Sequence, residues 1–287
     1  MNVLEETKFL MKKYKIKANK SLGQNFLIDD TVINDIANGA QISDEDLVIE
    51  IGPGLGSMTA VLLEKAKKVI CIELDRKMIE ILNDRFIAYN NIEIINADVL
   101  KIDLNELIKK EKAENEIKNV KIVANLPYYI TTPIIMKLLE DNLDINSITV
   151  MIQKEVADRL IEVPGGKNTG AITYTVYYYC EAEKIREVEN TSFIPMPEVT
   201  SEVITLKLRE KPAVEVENKK VFFNIIKSAY MQRRKTLLNS LVNTGVFKNK
   251  EEGKEILNKL NLREDIRAEN LTIEDFARIS NLFCKNL

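Results

Sequence analysis

The sequence predicts an α/β protein: a doubly wound sheet of mainly parallel strands, followed by a small all-α C-terminal domain. Three observations carry this expectation. Short apolar runs alternate with segments of helical periodicity from residue 46 to residue 161, a glycine-rich turn directly follows the first run, and beyond residue 218 only helical periodicity remains. The 287 residues are 45% hydrophobic and 30% charged, enough apolar mass for one large domain and one small.

The elements follow in order. Residues 46–51 (DLVIEI) read as the first strand, ended by Gly52 and Pro53, and Thr59, Leu62, Leu63 and Ala66 then recur with helical spacing. The unit repeats as strand 68–74 and helix 76–87, strand 92–96 and helix 104–112, strand 120–124 and helix 132–141, and strand 147–152 and helix 154–161. Right-handed crossovers between such units make the strands parallel. Residues 169–180 (TGAITYTVYYYC) show no two-residue alternation and are expected to form another helix, with a strand as the alternative; the Tyr177 to Tyr179 run is expected in core and on helix surface rather than as a platform for bases. Residues 199–208 (VTSEVITLKL) alternate and are expected to be the final strand. Residues 209–218 read as a linker between a domain spanning 1–208 and a helical one spanning 219–287. Helices are expected at 219–232, 234–243, 251–260 and 272–284, the last opened by the capping residue Thr272 with Glu274 and Asp275 in its first turn.

Composition removes several chemistries. The chain has no histidine, which excludes Ser-His-Asp and Cys-His nucleophile systems and most zinc sites. Cys71, Cys180 and Cys284 form no C-x-x-C pair, so neither a metal cage nor a disulfide framework is expected, and a reducing cytoplasm fits. No window approaches 18 charge-free apolar residues, so no membrane span is expected. No exposed heptad or apolar repeat is evident, and a monomer is expected. The net charge of −3 argues weakly against a nucleic-acid partner, but its distribution does not. Six lysines and no acids lie between Lys8 and Lys20, and six lysines, two arginines and no acids lie between Asn218 and Lys250.

Four groups carry the chemistry. Glu50-Ile51-Gly52-Pro53-Gly54-Leu55-Gly56 ends the first strand, where glycines permit positive φ and let a ligand approach backbone N–H groups at a helix start. A dinucleotide fingerprint needs glycine at 57, which is serine here; the turn suits a smaller adenosine-containing cofactor presenting a carboxylate rather than a pyrophosphate. Glu73 at the end of the next strand can accept both ribose hydroxyls, and Asp98 after the third can receive an adenine amino group, since the carboxyl ends of neighbouring strands face one crevice. After the fourth strand comes Asn125-Leu126-Pro127-Tyr128. An aromatic exocyclic amine is a poor nucleophile because its lone pair is delocalised into the ring. Two acceptors on its N–H groups, Asn125 Oδ1 and the Leu126 carbonyl, favour a pyramidal nitrogen with its lone pair aimed at an electrophile. Pro127 stiffens that geometry, and Tyr128 can stack on the base.

With these residues in place the chain resembles the ribosomal RNA adenine dimethyltransferases, specifically the kasugamycin-resistance type. The resemblance rests on KSLGQNFLID (20–29), EIGPGLGSMT (50–59), IELD (72–75), NADVL (96–100), NLPYYIT (125–131), QKEVADR (153–159), SFIPMPEVTSEV (192–203), and most specifically RRKTLLNSL (233–241) and RAENLTIEDFARISN (267–281). It implies a Rossmann-like class I methyltransferase sheet, S-adenosylmethionine as cofactor, and dimethylation of two adjacent adenines in the 16S rRNA of the small ribosomal subunit. It further implies that Asn25 and Leu27 close over the methionine end of the cofactor, Gly52 with Gly54 contacts it at the turn, Glu73 holds the ribose, Asp98 the adenine, and Asn125 bridges cofactor and target. Phe193 is implied to hold the flipped adenine opposite Tyr128. Lys17, Lys20, Arg233, Arg234 and Lys235 are expected on RNA phosphates. The acidic overall balance is unusual for such an enzyme and leaves RNA binding to the two basic stretches. Three other readings compete: a macrolide-resistance type enzyme acting on 23S rRNA, a mainly noncatalytic small-subunit assembly factor, and an NAD-dependent oxidoreductase, the last disfavoured by Ser57 and the missing histidine.

Overall fold

A computed structural model describes residues 1–19 and 22–285. Contacts divide the chain into two units, one of residues 1–157 with 182–208, the other of residues 158–181 with those from 209 onward. In chain order the elements are α1 (Val3–Lys13), β1 (Phe26–Leu27), α2 (Asp30–Gly39), β2 (Asp46–Ile51), α3 (Ser57–Lys65), β3 (Lys68–Glu73), α4 (Arg76–Arg85), β4 (Ile92–Asn96), α5 (Leu104–Glu114), β5 (Asn119–Asn125), α6 (Thr131–Glu140), β6 (Ser147–Gln153) and α7 (Lys154–Ile161). They continue with α8 (Ala171–Tyr179), β7 (Cys180–Val188), β8 (Phe193–Ile194), β9 (Ser201–Leu208), α9 (Lys219–Met231), α10 (Leu237–Asn243), α11 (Lys250–Lys259) and α12 (Ile273–Lys285).

The first unit is built on a seven-stranded sheet in the order β4-β3-β2-β5-β6-β9-β7. The pairs from β4 through β6 are parallel, and β9 runs antiparallel to β6. All six residues of β2 are buried, as a central strand covered on both faces requires. Aspartates start three of the flanking helices: the Asp29, Asp75 and Asp103 carboxylates accept from backbone N–H groups in the first turns of α2, α4 and α5, satisfying donors that have no partner within the helix.

Every α/β element expected between residues 46 and 161 is present, with shifts of one or two residues at several ends. Before residue 46 the helices α1 and α2 went unread, and so did two features of the sheets. The strand β7 has only its end residues, Cys180 and Val188, buried, so it carries no apolar run to reveal it, and it lies at the edge of the sheet beyond β9. The pair β1 and β8 is two residues long on each side, aligning Phe26 with Ile194 and Leu27 with Phe193, too short for any periodicity.

The second unit is helical. Tyr174, Phe222, Leu237, Leu241, Phe247 and Phe276 form the heart of its core, and residues 171–179 are a helix, not a strand. The tyrosine run there serves packing: Tyr178 is buried with its ring edge against Phe223, and the Tyr174 hydroxyl donates to the Leu271 carbonyl at 2.6 Å. The expected boundary at residue 208 marks where the chain enters this unit for good, but it misses the earlier excursion of residues 158–181. Nor is 209–218 a free linker, since Ala213, Val214 and Val216 pack against the helical core; these are the apolar residues of an otherwise polar segment. Among the described residues no helix is long and apolar enough to cross a membrane.

Candidate active site

From β2 the chain builds outward to β3 and β4 on one side, then returns to lay β5 and β6 on the other. At such a switch point the loops leaving neighbouring strands diverge and open a crevice at the carboxyl ends. A cleft lies there, lined from the loops after β4, β3, β2 and β5 in turn, which brings Asp98, Glu73, Gly52 and Asn125 to one wall-to-wall row.

The turn after β2 uses its three glycines for different purposes. Gly52, Gly54 and Gly56 all have positive φ, at 69°, 57° and 80°, where a Cβ is disfavoured. At Gly52 nothing stands within 4 Å of the place a Cβ would take, so its missing side chain leaves a cradle open to the cleft. At Gly56 a Cβ would meet Phe86 at 2.7 Å and Leu82 at 2.9 Å; this glycine is demanded by the packing of α4. Gly54 donates its N–H to the Glu73 carboxylate at 3.1 Å. From beneath, Arg85 donates to the Leu55 carbonyl at 2.5 Å and pairs with Glu6 at 2.6 Å, fixing the turn in place.

Glu73 is 7% exposed. Its other oxygen accepts the Asp75 N–H at 2.8 Å, and burial raises its pKa despite both backbone bonds. A carboxylate has about four acceptor sites, so two remain for hydroxyls of a ligand. Asp98 accepts the Leu100 N–H at 3.0 Å and has Lys101 at 3.6 Å. A third acid stands behind the glycine turn. Glu50 is fully buried on the strand yet borders the cleft. One of its oxygens accepts from the Thr59 hydroxyl at 2.6 Å and the Cys71 thiol at 3.7 Å; the other, Oε1, has no partner among the described residues. Burial pushes this carboxyl up to about 7.

After β5, Asn125 donates its side-chain N–H to the Asn25 carbonyl at 3.2 Å. A carbonyl only accepts, so the nitrogen is pinned there and Oδ1 is left free to accept. The Leu126 N–H is tied to the Met151 carbonyl at 3.1 Å, and the Pro127 carbonyl accepts from the Ile130 N–H at 3.2 Å and the Thr131 hydroxyl at 3.1 Å. These bonds lock the turn into α6, and among the described residues the Leu126 carbonyl has no backbone partner. The half-buried Tyr128 shares a hydrogen bond with the Ser201 hydroxyl at 2.7 Å, and burial raises its pKa.

The segment before β1 lies across this turn. Gly23, at φ 60°, brings its backbone so near that a Cβ would stand 3.3 Å from both Pro127 and Tyr129. Gln24 spans from the Asn19 N–H at 2.9 Å to Asp75 at 3.0 Å, anchoring the segment to the start of α4. The β1–β8 pair then sets Leu27 beside Phe193. Phe193 is 4% exposed, so its ring is mostly core and only one part of it reaches the cleft.

Asn25, Leu27, Gly52, Gly54, Glu73, Asp98, Asn125, Leu126, Pro127, Tyr128 and Phe193 thus line one cleft. Lys17 is exposed elsewhere on the first unit, and Arg233, Arg234 and Lys235 are exposed in the turn after α9 on the second; Arg233 also donates to the Thr169 carbonyl at 3.2 Å. Lys20 lies outside the described residues. Glu50, Gln24 and Tyr129 were given no role from sequence. An acid within the apolar run DLVIEI was the available signal for Glu50, because a charge in a buried strand needs a reason.

Residues 15–285 match the ribosomal RNA adenine dimethylase family. A relative from Clostridioides difficile (strain 630), named ribosomal RNA small subunit methyltransferase A, is 48% identical over 276 residues, covering 96% of this chain and 94% of its own length. Among solved structures, a dimethyladenosine transferase from Plasmodium falciparum superposes with a TM-score of 0.75 at 28% identity, over 91% of this chain and 98% of that one. The 23S rRNA methyltransferase ErmE superposes at 0.67 with 24% identity, over 89% and 98% respectively; the shared fold therefore does not separate a small-subunit from a large-subunit substrate.

Proposed function

The chain belongs to the ribosomal RNA adenine dimethylase family, and from that premise we propose that it transfers methyl groups from S-adenosylmethionine to the exocyclic amines of two adjacent adenines in 16S rRNA. The 48% identity to a relative named for the small subunit favours that substrate over 23S rRNA. A single observation supports the chemistry above all others: among the described residues Asn125 Oδ1 and the Leu126 carbonyl, consecutive acceptors at the end of β5, have no partner, while the Asn125 side-chain nitrogen, the Leu126 N–H and the Pro127 carbonyl beside them are engaged.

The residues present fit the cofactor. The cradle at Gly52 has room where a side chain would otherwise stand, Glu73 has acceptor capacity for ribose hydroxyls, and Asp98 stands one strand further along for an adenine amino group. When bound, S-adenosylmethionine supplies a methyl group already activated on a sulfonium. The protein contributes position and electrostatics. Asn125 Oδ1 and the Leu126 carbonyl accept the two N–H bonds of the target amine, which draws its lone pair out of conjugation with the ring. Tyr128, steadied by Ser201, offers its ring to the base, and Phe193 offers the part of its ring that borders the cleft. No histidine base is needed, since an alkylated amine is acidic and sheds its proton readily. After the first transfer the amine keeps one N–H, so the second transfer uses one of the two acceptors. Lys17, Lys20, Arg233, Arg234 and Lys235 contribute charge for rRNA phosphates.

The test is incubation of the protein with radiolabelled S-adenosylmethionine and purified, unmethylated small and large subunits, followed by nucleoside analysis. Label is expected in dimethyladenosine from 16S rRNA. Label confined to 23S rRNA, or absent from both, overturns the assignment.

A further inference from the structure

Tyr129 is 61% exposed and yet lines the cleft immediately after Tyr128. Its ring is seated along one edge: Cδ1 and Cε1 lie 3.3 Å from where a Cβ on Gly23 would stand. The glycine there, at φ 60°, is what allows the backbone of the N-terminal segment to approach the ring so closely. Among the described residues the Tyr129 hydroxyl has no hydrogen-bond partner. Tyr128 is the opposite case, half-buried with its hydroxyl held by Ser201. Two consecutive rings therefore occupy different stations, one within the cleft and one at its mouth.

An adenine drawn into a protein cleft leaves the base stack, and its neighbour along the strand loses a stacking face at the same moment. An aromatic face at the mouth replaces the lost stack whatever base presents itself.

We propose that Tyr129 is the platform on which the nucleotide beside the target adenine stacks, which makes it a substrate-positioning residue for rRNA rather than part of the methyl-transfer machinery. This rests on the reading of the cleft as an adenine methylation site. With two adjacent targets, the nucleotide on the platform is the second adenine during one of the two modifications.

The experiment measures KM for unmethylated small subunits and Kd for S-adenosylhomocysteine with the wild-type protein and with Tyr129→Ala, Tyr129→Leu, Tyr129→Phe and Tyr129→Trp. Wild-type turnover in the same assay keeps the two ideas apart, because its absence defeats the proposed function before any variant is read. Given wild-type turnover, the alanine and leucine variants are expected to raise KM about tenfold, by more than they lower kcat, while phenylalanine and tryptophan hold it within about twofold. Kd for S-adenosylhomocysteine is expected to stay constant throughout. Leucine keeps bulk against Gly23 but has no π face, so a normal KM for Tyr129→Leu overturns the platform in favour of packing. A Kd that rises in step with KM overturns it too, since the ring would then act through the N-terminal segment on the cofactor.

Discussion

Replacing Glu50 by glutamine isolates the carboxyl buried beneath the glycine turn. Glu50 has no exposed surface, one oxygen bonded to Thr59 and Cys71, and one with no partner among the described residues. Burial raises its pKa from 4.5 to about 7, the Thr59 and Cys71 bonds and the charge of Arg85 opposing and the like charge of Glu73 adding to the rise. An acid whose folded value lies above its unfolded value holds its proton more tightly when folded. Its stabilising contribution is therefore complete below the unfolded value and is lost as pH climbs through the folded one. At about 1.36 kcal/mol per pH unit, the passage from 4.5 to about 7 removes about 3 kcal/mol, of which about 2 kcal/mol falls between pH ~5.5 and pH ~8. Glutamine retains an acceptor for Thr59 but has no proton to lose. Urea unfolding of both proteins, followed by far-ultraviolet circular dichroism at those two pH values, should show the variant gaining about 2 kcal/mol on the wild type at the higher pH, other titrating groups cancelling in the difference. If the gap between the two proteins is the same at both pH values, Glu50 titrates normally and the burial argument is wrong.

Asn125→Ala removes the free amide oxygen, and methyl incorporation should fall about 100-fold or more while retention of small subunits on filters is unchanged; near-normal turnover would take Asn125 out of the reaction. The two glycines of the turn should separate by assay. Gly56→Ala, facing Phe86 and Leu82 at under 3 Å, is expected to cost about 2 kcal/mol or more of stability in urea, whereas Gly52→Ala costs only the left-handed backbone penalty of about 1 kcal/mol and weakens S-adenosylhomocysteine binding about tenfold or more in calorimetry. Matching effects of both substitutions in both assays would refute that division. Affinity for the small subunit should fall steeply with salt, and the triple variant Arg233→Ala, Arg234→Ala, Lys235→Ala should flatten the logarithmic slope by up to about 2; parallel slopes would remove these residues from the RNA footprint.

Much of the site was legible because it is written in local pattern. A parallel strand buried on both faces must be a continuous apolar run, and the chemistry of an open α/β sheet must gather where those runs end. DLVIEI, ICIEL, IEIIN and VKIVA therefore announced both the strands and the places of Gly52, Glu73, Asp98 and Asn125. Sequence alone also showed that the first turn lacks a dinucleotide's glycine at Ser57 and that no histidine takes part. Tertiary structure alone decided the rest, because it depends on contacts between residues far apart in the chain. Gly56 is a glycine on account of Phe86, thirty residues on; the Asn125 amide is oriented by the backbone of Asn25, a hundred residues back; Phe193 reaches the cleft through a two-residue ladder with Leu27. The strand β7 and the packing of 158–181 with the C-terminal helices were hidden for the same reason: an edge strand with two buried residues has no signature of its own, and which core a helix joins is settled by the surface that meets it.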